Sequence, residues 1–535
     1  MAYVITQNCC KDASCVPVCP VDCIRPVAGA GELTGTDMLY IDPATCIDCG
    51  ACQEECPVDA VYYEDDLPQG LEIFRDINAR YFEQHPLEPD RSHAPTGHGR
   101  VEPGVLRVAV VGAGPAGCYA VEQLLAVDGV EVNLLDRLPT PFGLIRAGVA
   151  PDHQHTKSVT KVFDRAFGNA RLRCCFNVEV GSDITHDELL AHHHAVLYAV
   201  GAEQSRQLGI PGEQVSGHHA ASEFVGWYNG HPDHAHRAYD LSGERAVIIG
   251  NGNVALDVAR ILLTSAEVLA STDIAEHALD ALVRSDIREV VILGRRGPRH
   301  AAFSVGEFNA LTHLPGVDVL IEGIDLNPAP EDGIETVLKL EAMRERALRR
   351  ATPGNKRIIF RFHAPPLKIE GETHAEGVWI AASDPAGEAE FVTASIILRA
   401  TGYRGSAIPG LPFDEISGTI PNDSGRVVTH DGARVPRTYV TGWVKRGPRG
   451  VIGTNRTCAT QTVQRLWEDF DANVLAAELP PRGELSVLLA DRGVATLDWR
   501  DWRTIDVAER DRGKSRSRPR IKFVSVDDML SAVRR

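Results

Sequence analysis

Four apolar residues in unbroken succession, Val108 to Val111, run straight into a glycine. The following stretch, PAGCYAVEQLL, repeats its apolar positions at helical spacing, and a second apolar run, EVNLLD, closes the unit at Asp136. A short continuous run reads as a buried strand and the 3.6-residue repeat as a helix, so the pattern predicts strand, helix, strand. The same order returns at AVIIGNGNVALDVARILL and IREVVILGRRGP, with a long helical insertion before the second strand. Upstream, Ile73, Ile77, Tyr81 and Phe82 stand at helical spacing and predict one short helix packing on a domain. Residues 85–104, with four prolines and three glycines, read as a linker whose ends, treated as a coil, lie on the order of 25 Å apart. No apolar run is long enough to span a bilayer.

Length changes this picture by multiplying it: 535 residues predict about three domains. The chain is 44% hydrophobic and 24% charged, as in ordinary globular proteins. A net charge of −18 disfavours nucleic acid and membrane surfaces as partners. The first residues lack a charged leader and apolar core, so the expected compartment is the cytoplasm. Nothing in the sequence specifies an oligomeric state. The charge is uneven: residues 1–66 carry twelve acids against Lys11 and Arg25, a net of −10. That acidity reads either as a solvated surface or as a docking face for a basic partner.

Nine of the thirteen cysteines fall within the first 56 residues, which in a long intracellular chain points to metal binding. The run CIDCGACQEECP, Cys46 to Pro57, has the spacing C-x2-C-x2-C-x3-C-P. Three thiolates in steps of three wrap one tight loop around an iron–sulfur cluster, while the fourth cysteine ligates the other cluster. Zinc sites more often use two separated pairs. The earlier run, Cys9-Cys10-x4-Cys15-x3-Cys19-Pro20-x2-Cys23, looks irregular but also ends C-x3-C-P. Both runs close with Cys-Pro-Val-Asp, at 19–22 and 56–59, which marks an internal repeat. Cross-ligation then predicts a [4Fe-4S] cluster on Cys46, Cys49, Cys52 and Cys19, and a second cluster on Cys56, Cys15 and either Cys9 or Cys10.

The segment MAYVITQNC…CVPVCPVDC…YIDPATCIDCGACQEECP resembles a seven-iron bacterial ferredoxin. The resemblance implies a [3Fe-4S] cluster on Cys9, Cys15 and Cys56, with Cys10 and Cys23 free thiols. The family's first two cysteines stand two residues apart, and here they touch, so a [4Fe-4S] cluster that also uses Cys10 stays open.

Gly112-x-Gly114-x-x-Gly117 lies between the first strand and helix, and Asp136 falls 19 residues beyond Gly117. This is the dinucleotide fingerprint: Gly112 for the tight turn, Gly114 for approach of the pyrophosphate, Gly117 for close packing, and an acid for the ribose. The second unit reads Gly250-x-Gly252-x-x-Ala255, and its later strand ends on Gly294-Arg295-Arg296 instead of an acid. Two guanidiniums in place of the ribose acid suit the 2′-phosphate of NADP.

From Val105 onward, VVGAGPAG, LPTPFGLIRAGVAPDH, FVGWYNGHP, IGNGNVALDVARILL, GRRGPRHAAFSVGEF and TGWVKRGPRGVIGTN together resemble adrenodoxin reductase and its bacterial ferredoxin–NADP reductase relatives. The resemblance implies an α/β fold: a small α+β two-cluster ferredoxin domain (1–66), a helix and linker (67–104), a discontinuous Rossmann-like FAD domain (105–204 and 400–535) and an inserted NADP domain (205–399). It implies FAD contacts at Ala116, Asp136, Leu144, Val180, Trp443, Gly450, Val451 and Ile452. It implies NADP contacts at Asn251, Gly252, Asn253, Val254, Arg295, Arg296, Glu307 and Gly450. His153, Asp257 and Glu307 are expected to position the nicotinamide, since hydride transfer needs alignment more than proton chemistry.

The expected activity is that of an NADPH-dependent flavoprotein reductase. Hydride passes to FAD, and single electrons pass through the clusters to an external acceptor such as a ferredoxin or a haem monooxygenase. Reverse flow that makes NADPH, and a redox-sensing role, are the alternatives. His192 to His194, and His231, His234 and His236, are expected to be solvated loop residues. The basic stretch 510–522 is expected either to meet the acidic ferredoxin face or to be an exposed connection.

Overall fold

The computed structural model describes residues 2–26, 36, 38–87, 98–322, 325–382 and 387–534. The centre of the expected linker, 88–97, and the acids Glu32 and Asp37 therefore lie outside the described residues.

At the front, β1 (Tyr3–Ile5), β2 (Ile24–Arg25), β3 (Tyr40–Ile41) and β4 (Val61–Tyr63) form two antiparallel pairs, β1 with β4 and β2 with β3. Between them lie the cysteine loops and one turn of helix, α1 (Ala51–Glu54). The helix expected beyond Asp66 is α2 (Ile73–Gln84). Its buried face is Phe74, Ile77, Asn78, Tyr81 and Phe82, not the face through Ile73, which is 38% exposed. Asn78 explains the register. Its carbonyl oxygen accepts from the Ile5 and Ile41 amides and its amide donates to the Ile5 carbonyl, tying α2 to β1 and β3.

The second body is built on β5 (Arg107–Val111), α3 (Pro115–Leu125), β6 (Glu131–Asp136), β7 (Leu172–Phe176) and β8 (Ala195–Tyr198). Its seven-stranded sheet runs Asn422–Asp423, Arg426–Val428, Arg434–Val440, β8, β5, β6, β7. The last five strands are parallel and the hairpin at the far edge is antiparallel. Every residue of β5 is buried, as a strand covered on both faces requires. The third body is an all-parallel six-stranded sheet in the order His218–Ala220, Ile396–Arg399, Arg245–Ile249, Glu289–Leu293, Lys356–Arg361, Val317–Ile321. Where the chain passes between the two large sheets, Gln204–Ser205 pairs antiparallel with Tyr403–Arg404. Among the described residues no helix is long and apolar enough to cross a membrane.

Three expectations about polar segments change. His193 is fully buried, and its ring contacts the Leu189 carbonyl and the Asn133 amide. His194 is buried and accepts from the Arg107 amide, so of that trio two are core residues. The basic stretch 510–522 meets acids of the later bodies and not those of residues 1–66. Arg520 pairs with Asp506 and Glu509, Lys522 with Asp273, and Arg516 with Glu276. Arg518 donates to the Thr272 and Ile274 carbonyls. The chain end is thereby clamped onto the third body.

Candidate cofactor cavity and iron–sulfur module

One cavity of about 1020 Å³ runs between the three bodies. Gly112, Gly114 and Ala116 line it from the turn between β5 and α3, and Asp136 from the end of β6. Leu144, Val180, Trp443, Gly450, Val451 and Ile452 form further walls. Asn253, Val254, Asp257 and Glu307 line it from the third body's side, and His153 from the segment between β6 and β7. Cys9 and Cys10, with Met38 and Tyr40, line it from the ferredoxin end. The expected Gly117, Asn251, Gly252, Arg295 and Arg296 are not on the wall.

Each glycine of the first fingerprint has a distinct spatial reason. Gly112 has φ +102°, and a Cβ there would lie 2.6 Å from the Ala199 carbonyl oxygen. A Cβ at Gly117 would overlap the Gly112 carbonyl oxygen, which is how α3 packs so closely on β5. A Cβ at Gly114 would meet nothing, because this position faces the open cavity. Gly114 is also the N-cap of α3, so the helix N-terminus points its free amides into that space. A dinucleotide's pyrophosphate therefore fits the residues present. Asp136 accepts from the Ala113 amide at 2.7 Å and the Leu138 amide at 2.9 Å. Burial pushes its carboxyl up to about 6, against those two donors. Trp443 tilts against Tyr403, and its buried indole Nε1 has no partner among the described residues. Leu144 is 43% exposed, an apolar side chain left open to the cavity. An orphaned donor and a bare apolar wall are what a bound isoalloxazine and its chain would cover.

Facing this wall, His153, Asp257 and Glu307 bring their ligand atoms within 4.8 Å of one another. Sequence reasoning missed the group that organises them. Arg260, 5% exposed, bridges Asp152 at 2.7 Å, Asp257 at 2.7 Å and Glu307 at 3.5 Å. Burial raises the Asp257 carboxyl above its ordinary value despite Arg260. For Asp152, burial acts upward as well, but Arg260 more than offsets it and holds the carboxyl low. Arg260 thus ties the three carboxyl groups together at one point of the wall. Arg295 and Arg296 follow the strand Glu289–Leu293, both exposed, and among the described residues neither guanidinium has an acid partner. Of the expected surface histidines, His231 and His234 also line the cavity, which leaves His236 as the solvated one.

In the ferredoxin body the thiols divide by exposure: Cys49 is exposed, and Cys10, Cys15, Cys23 and Cys52 are buried. Burial pushes Cys9 up to about 11 and Cys52 up to about 12, so both are neutral until a metal takes the proton's place. Tetrahedral zinc with Zn–S bonds near 2.3 Å would hold its sulfurs about 3.8 Å apart. Among the described residues no three cysteine sulfurs gather within 4.8 Å of one another. The module is docked firmly. The Gly453 amide donates to the Cys10 carbonyl at 2.7 Å, and Ser158 donates to the Pro57 carbonyl at 2.5 Å. Tyr40 donates to Glu335 and Arg80 pairs with Glu341, both at 2.8 Å. None of these partners was singled out from the sequence.

The model of the pyridine nucleotide-disulphide oxidoreductase family matches residues 106–293, and that of the 4Fe-4S binding domain matches residues 39–62. The chain is 45% identical over 551 residues to a probable ferredoxin/ferredoxin–NADP reductase of Mycobacterium tuberculosis, covering 99% of this chain and 95% of that protein. It is 40% identical over 461 residues to the mitochondrial NADPH:adrenodoxin oxidoreductase of Arabidopsis thaliana, covering 80% of this chain and 95% of that one. Among solved structures, Mycobacterium tuberculosis FprA in complex with NADPH aligns with a TM-score of 0.76 and 42% identity, over 80% of this chain and all of that one.

Proposed function

This chain belongs to the ferredoxin/ferredoxin–NADP reductases, NADPH-dependent FAD enzymes with a fused iron–sulfur ferredoxin, and we propose how its own residues divide that work. The observation that carries the reading is the single cavity that joins the first dinucleotide fingerprint, the second dinucleotide unit and the Cys9–Cys10 corner of the ferredoxin. When bound, nicotinamide delivers hydride to the flavin, and iron–sulfur clusters carry electrons one at a time.

Gly112, Gly114 and the N-terminus of α3 bind the FAD pyrophosphate, and Asp136 holds the ribose. Leu144, Val180, Trp443 and the Gly450–Ile452 turn enclose the flavin and exclude water. Asn251 to Val254 receive the NADP chain, and Arg295 and Arg296 clasp its 2′-phosphate. His153, Asp257 and Glu307, braced by Arg260, orient the nicotinamide. Cys19, Cys46, Cys49 and Cys52 hold the [4Fe-4S] cluster, and Cys9, Cys15 and Cys56 hold a second. Within this scheme the ferredoxin domain spans 1–66, the FAD domain 105–204 with 400–535, and the NADP domain 205–399. Cys9 and Cys10 face the flavin side of the ferredoxin. Ile47, 57% exposed, and Cys49 face solvent beside Asp48, the side offered to an external ferredoxin or haem monooxygenase. A reducing compartment, the cytoplasm, suits thirteen cysteines that all stand unpaired.

Mixing anaerobic holoprotein with NADPH tests the scheme. The flavin absorbance is expected to bleach first and the cluster absorbance to fall afterwards; flavin reduction with clusters that never reduce sinks it. Replacing Arg295 and Arg296 by Gln should raise KM for NADPH at least tenfold and leave NADH use nearly unchanged. Equal weakening of both would remove the 2′-phosphate role.

A further inference from the structure

We infer that Asp12 stands at the fourth-ligand position of the first cluster and that the reductase withholds it from metal, leaving that site with Cys9, Cys15 and Cys56 alone. The inference rests on the second cluster proposed above.

The register comes from the repeat. Aligned on Cys-Pro-Val-Asp without a gap, Cys46-x2-Cys49-x2-Cys52-x3-Cys56-Pro57 falls on Cys9-x2-Asp12-x2-Cys15-x3-Cys19-Pro20. The first run is therefore regular, with a carboxylate where the second run has Cys49. Cys10 is one place out of step.

The backbone confirms the pairing. Lys11 and Asp48 have φ +58° and +57°, Ala13 and Gly50 +65° and +75°, and Asp22 and Asp59 +48° and +51°. The Val16 amide donates to the Ala13 carbonyl as the Gln53 amide does to Gly50. The Cys23 amide donates to Cys19 Sγ at 3.4 Å, as the Ala60 amide does to Cys56 Sγ at 3.2 Å. Asp12 and Cys49 are thus flanked by the same unusual conformations and occupy equivalent corners.

Their surroundings differ. Cys49 is exposed, whereas Asp12 is 3% exposed and both its carboxylate oxygens are taken. One accepts from the Tyr119 hydroxyl on α3 at 2.6 Å. The other accepts from the Ser14 amide at 3.1 Å and from the Ser14 hydroxyl, and the Arg456 guanidinium lies 3.7 Å away. Arg456 also donates to the Asp12 carbonyl at 2.8 Å, and Gly453 is so close that a Cβ there would overlap the Lys11 carbonyl oxygen. Carboxylates are hard oxygen donors that iron accepts less readily than thiolate. A carboxylate already held by two reductase side chains is less available still. Docking thereby sets the metal count of the cluster nearer the flavin. Cys10 does not substitute, because its carbonyl is held by the Gly453 amide and it stands out of register, at the place Ile47 takes in the second run.

The test counts iron in the full-length holoprotein and records electron paramagnetic resonance of the oxidised form, before and after incubation with dithionite and excess ferrous iron. Uptake would add one ferrous ion to a three-iron core already reduced by one electron, with an Fe–O bond to Asp12 replacing its hydrogen bond from Tyr119. Wild-type protein should hold about seven irons per chain and keep its three-iron signal after that incubation. Tyr119→Phe and Arg456→Gln should gain about one iron and lose the signal, and Tyr119→Phe with Asp12→Asn should regain wild-type behaviour. Asp12→Cys should hold about eight irons without incubation. Flavin occupancy reports folding in every variant.

About eight irons in wild type, with one lost in Asp12→Asn, would make Asp12 a ligand already and overturn the proposal. So would a Tyr119→Phe protein that takes up iron no better than wild type. A fully folded Asp12→Cys that gains no iron would overturn the register. About four irons per chain would instead remove the second cluster itself, a distinct failure of the underlying reading.

Discussion

Asp136 shows how one residue's surroundings decide its chemistry. Without a nucleotide its carboxyl is pushed up to about 6 by burial, although two amides favour the ionised form. A ribose hydroxyl donates best to a carboxylate, so binding draws the pKa down. Affinity of the FAD-free protein is therefore expected to be level above about pH 6 and to fall as pH drops below it. The fall should approach tenfold per pH unit until the bound-state pKa is reached. Calorimetric titration with FAD between pH 5 and 8 measures this, and an Asp136→Asn variant should show a flat, weaker profile. A wild-type profile that is flat across that range would deny Asp136 the role. The acid's place after Gly117 is legible in the sequence; its raised pKa is not, because burial is supplied by other segments. Asp12 is the opposite case. Its C-x2-D-x2-C spacing is legible, but the neighbouring Cys10 draws the eye to the wrong position.

Among the elements, the helix Trp499–Lys514 and the segment after it turn a basic stretch into a brace. Glu509, fully buried, receives Arg146 at 2.6 Å and Arg520 at 3.2 Å, and its carboxylate also accepts from the Phe523 amide at 2.9 Å. Burial works to raise the Glu509 carboxyl, but Arg146, Arg520 and the Phe523 amide together hold the group below its ordinary value. Removing one member strands the others' charge away from water. Glu509→Gln is expected to cost about 3–5 kcal/mol in chemical denaturation. A loss under about 1 kcal/mol would show the network to be solvated and weak. Composition alone marks residues 510–522 as a charged surface, since the matching acids, Asp273 and Glu276, lie more than two hundred residues earlier. The helix α2 teaches the same lesson in small. Periodicity located it, yet Asn78, a polar residue, sits at the centre of its buried face because the ends of β1 and β3 need its amide.

On the scale of the whole molecule, the ferredoxin is not a freely tethered bead. It wedges its Cys9–Asp12 corner between α3 and the helix Thr454–Asp471, and at Gly453 there is no room for a Cβ. Gly453→Ala adds a methyl where the Lys11 carbonyl lies, in a backbone conformation alanine accepts freely. The expected outcome is an undocked ferredoxin on an intact reductase: unchanged flavin content, faster amide exchange at residues 9–15, and slower cluster reduction by NADPH. Unchanged exchange there would mean that the contact is dispensable.

The sequence by itself determined the modules and their chemistry. Cysteines three apart and glycines at fixed intervals act through a few consecutive residues, and local backbone geometry carries that information. Of the residues it marks, Gly114 and His153 line the cavity, while Gly117, Asn251, Gly252, Arg295 and Arg296 do not. Only the tertiary structure decided how the modules meet. The contacts of Arg260 with Asp152, His193 with Asn133, Arg146 with Glu509, and Tyr119 and Arg456 with Asp12 join residues 60 to 444 positions apart. Such contacts follow from packing between surfaces, whose partners no local pattern names.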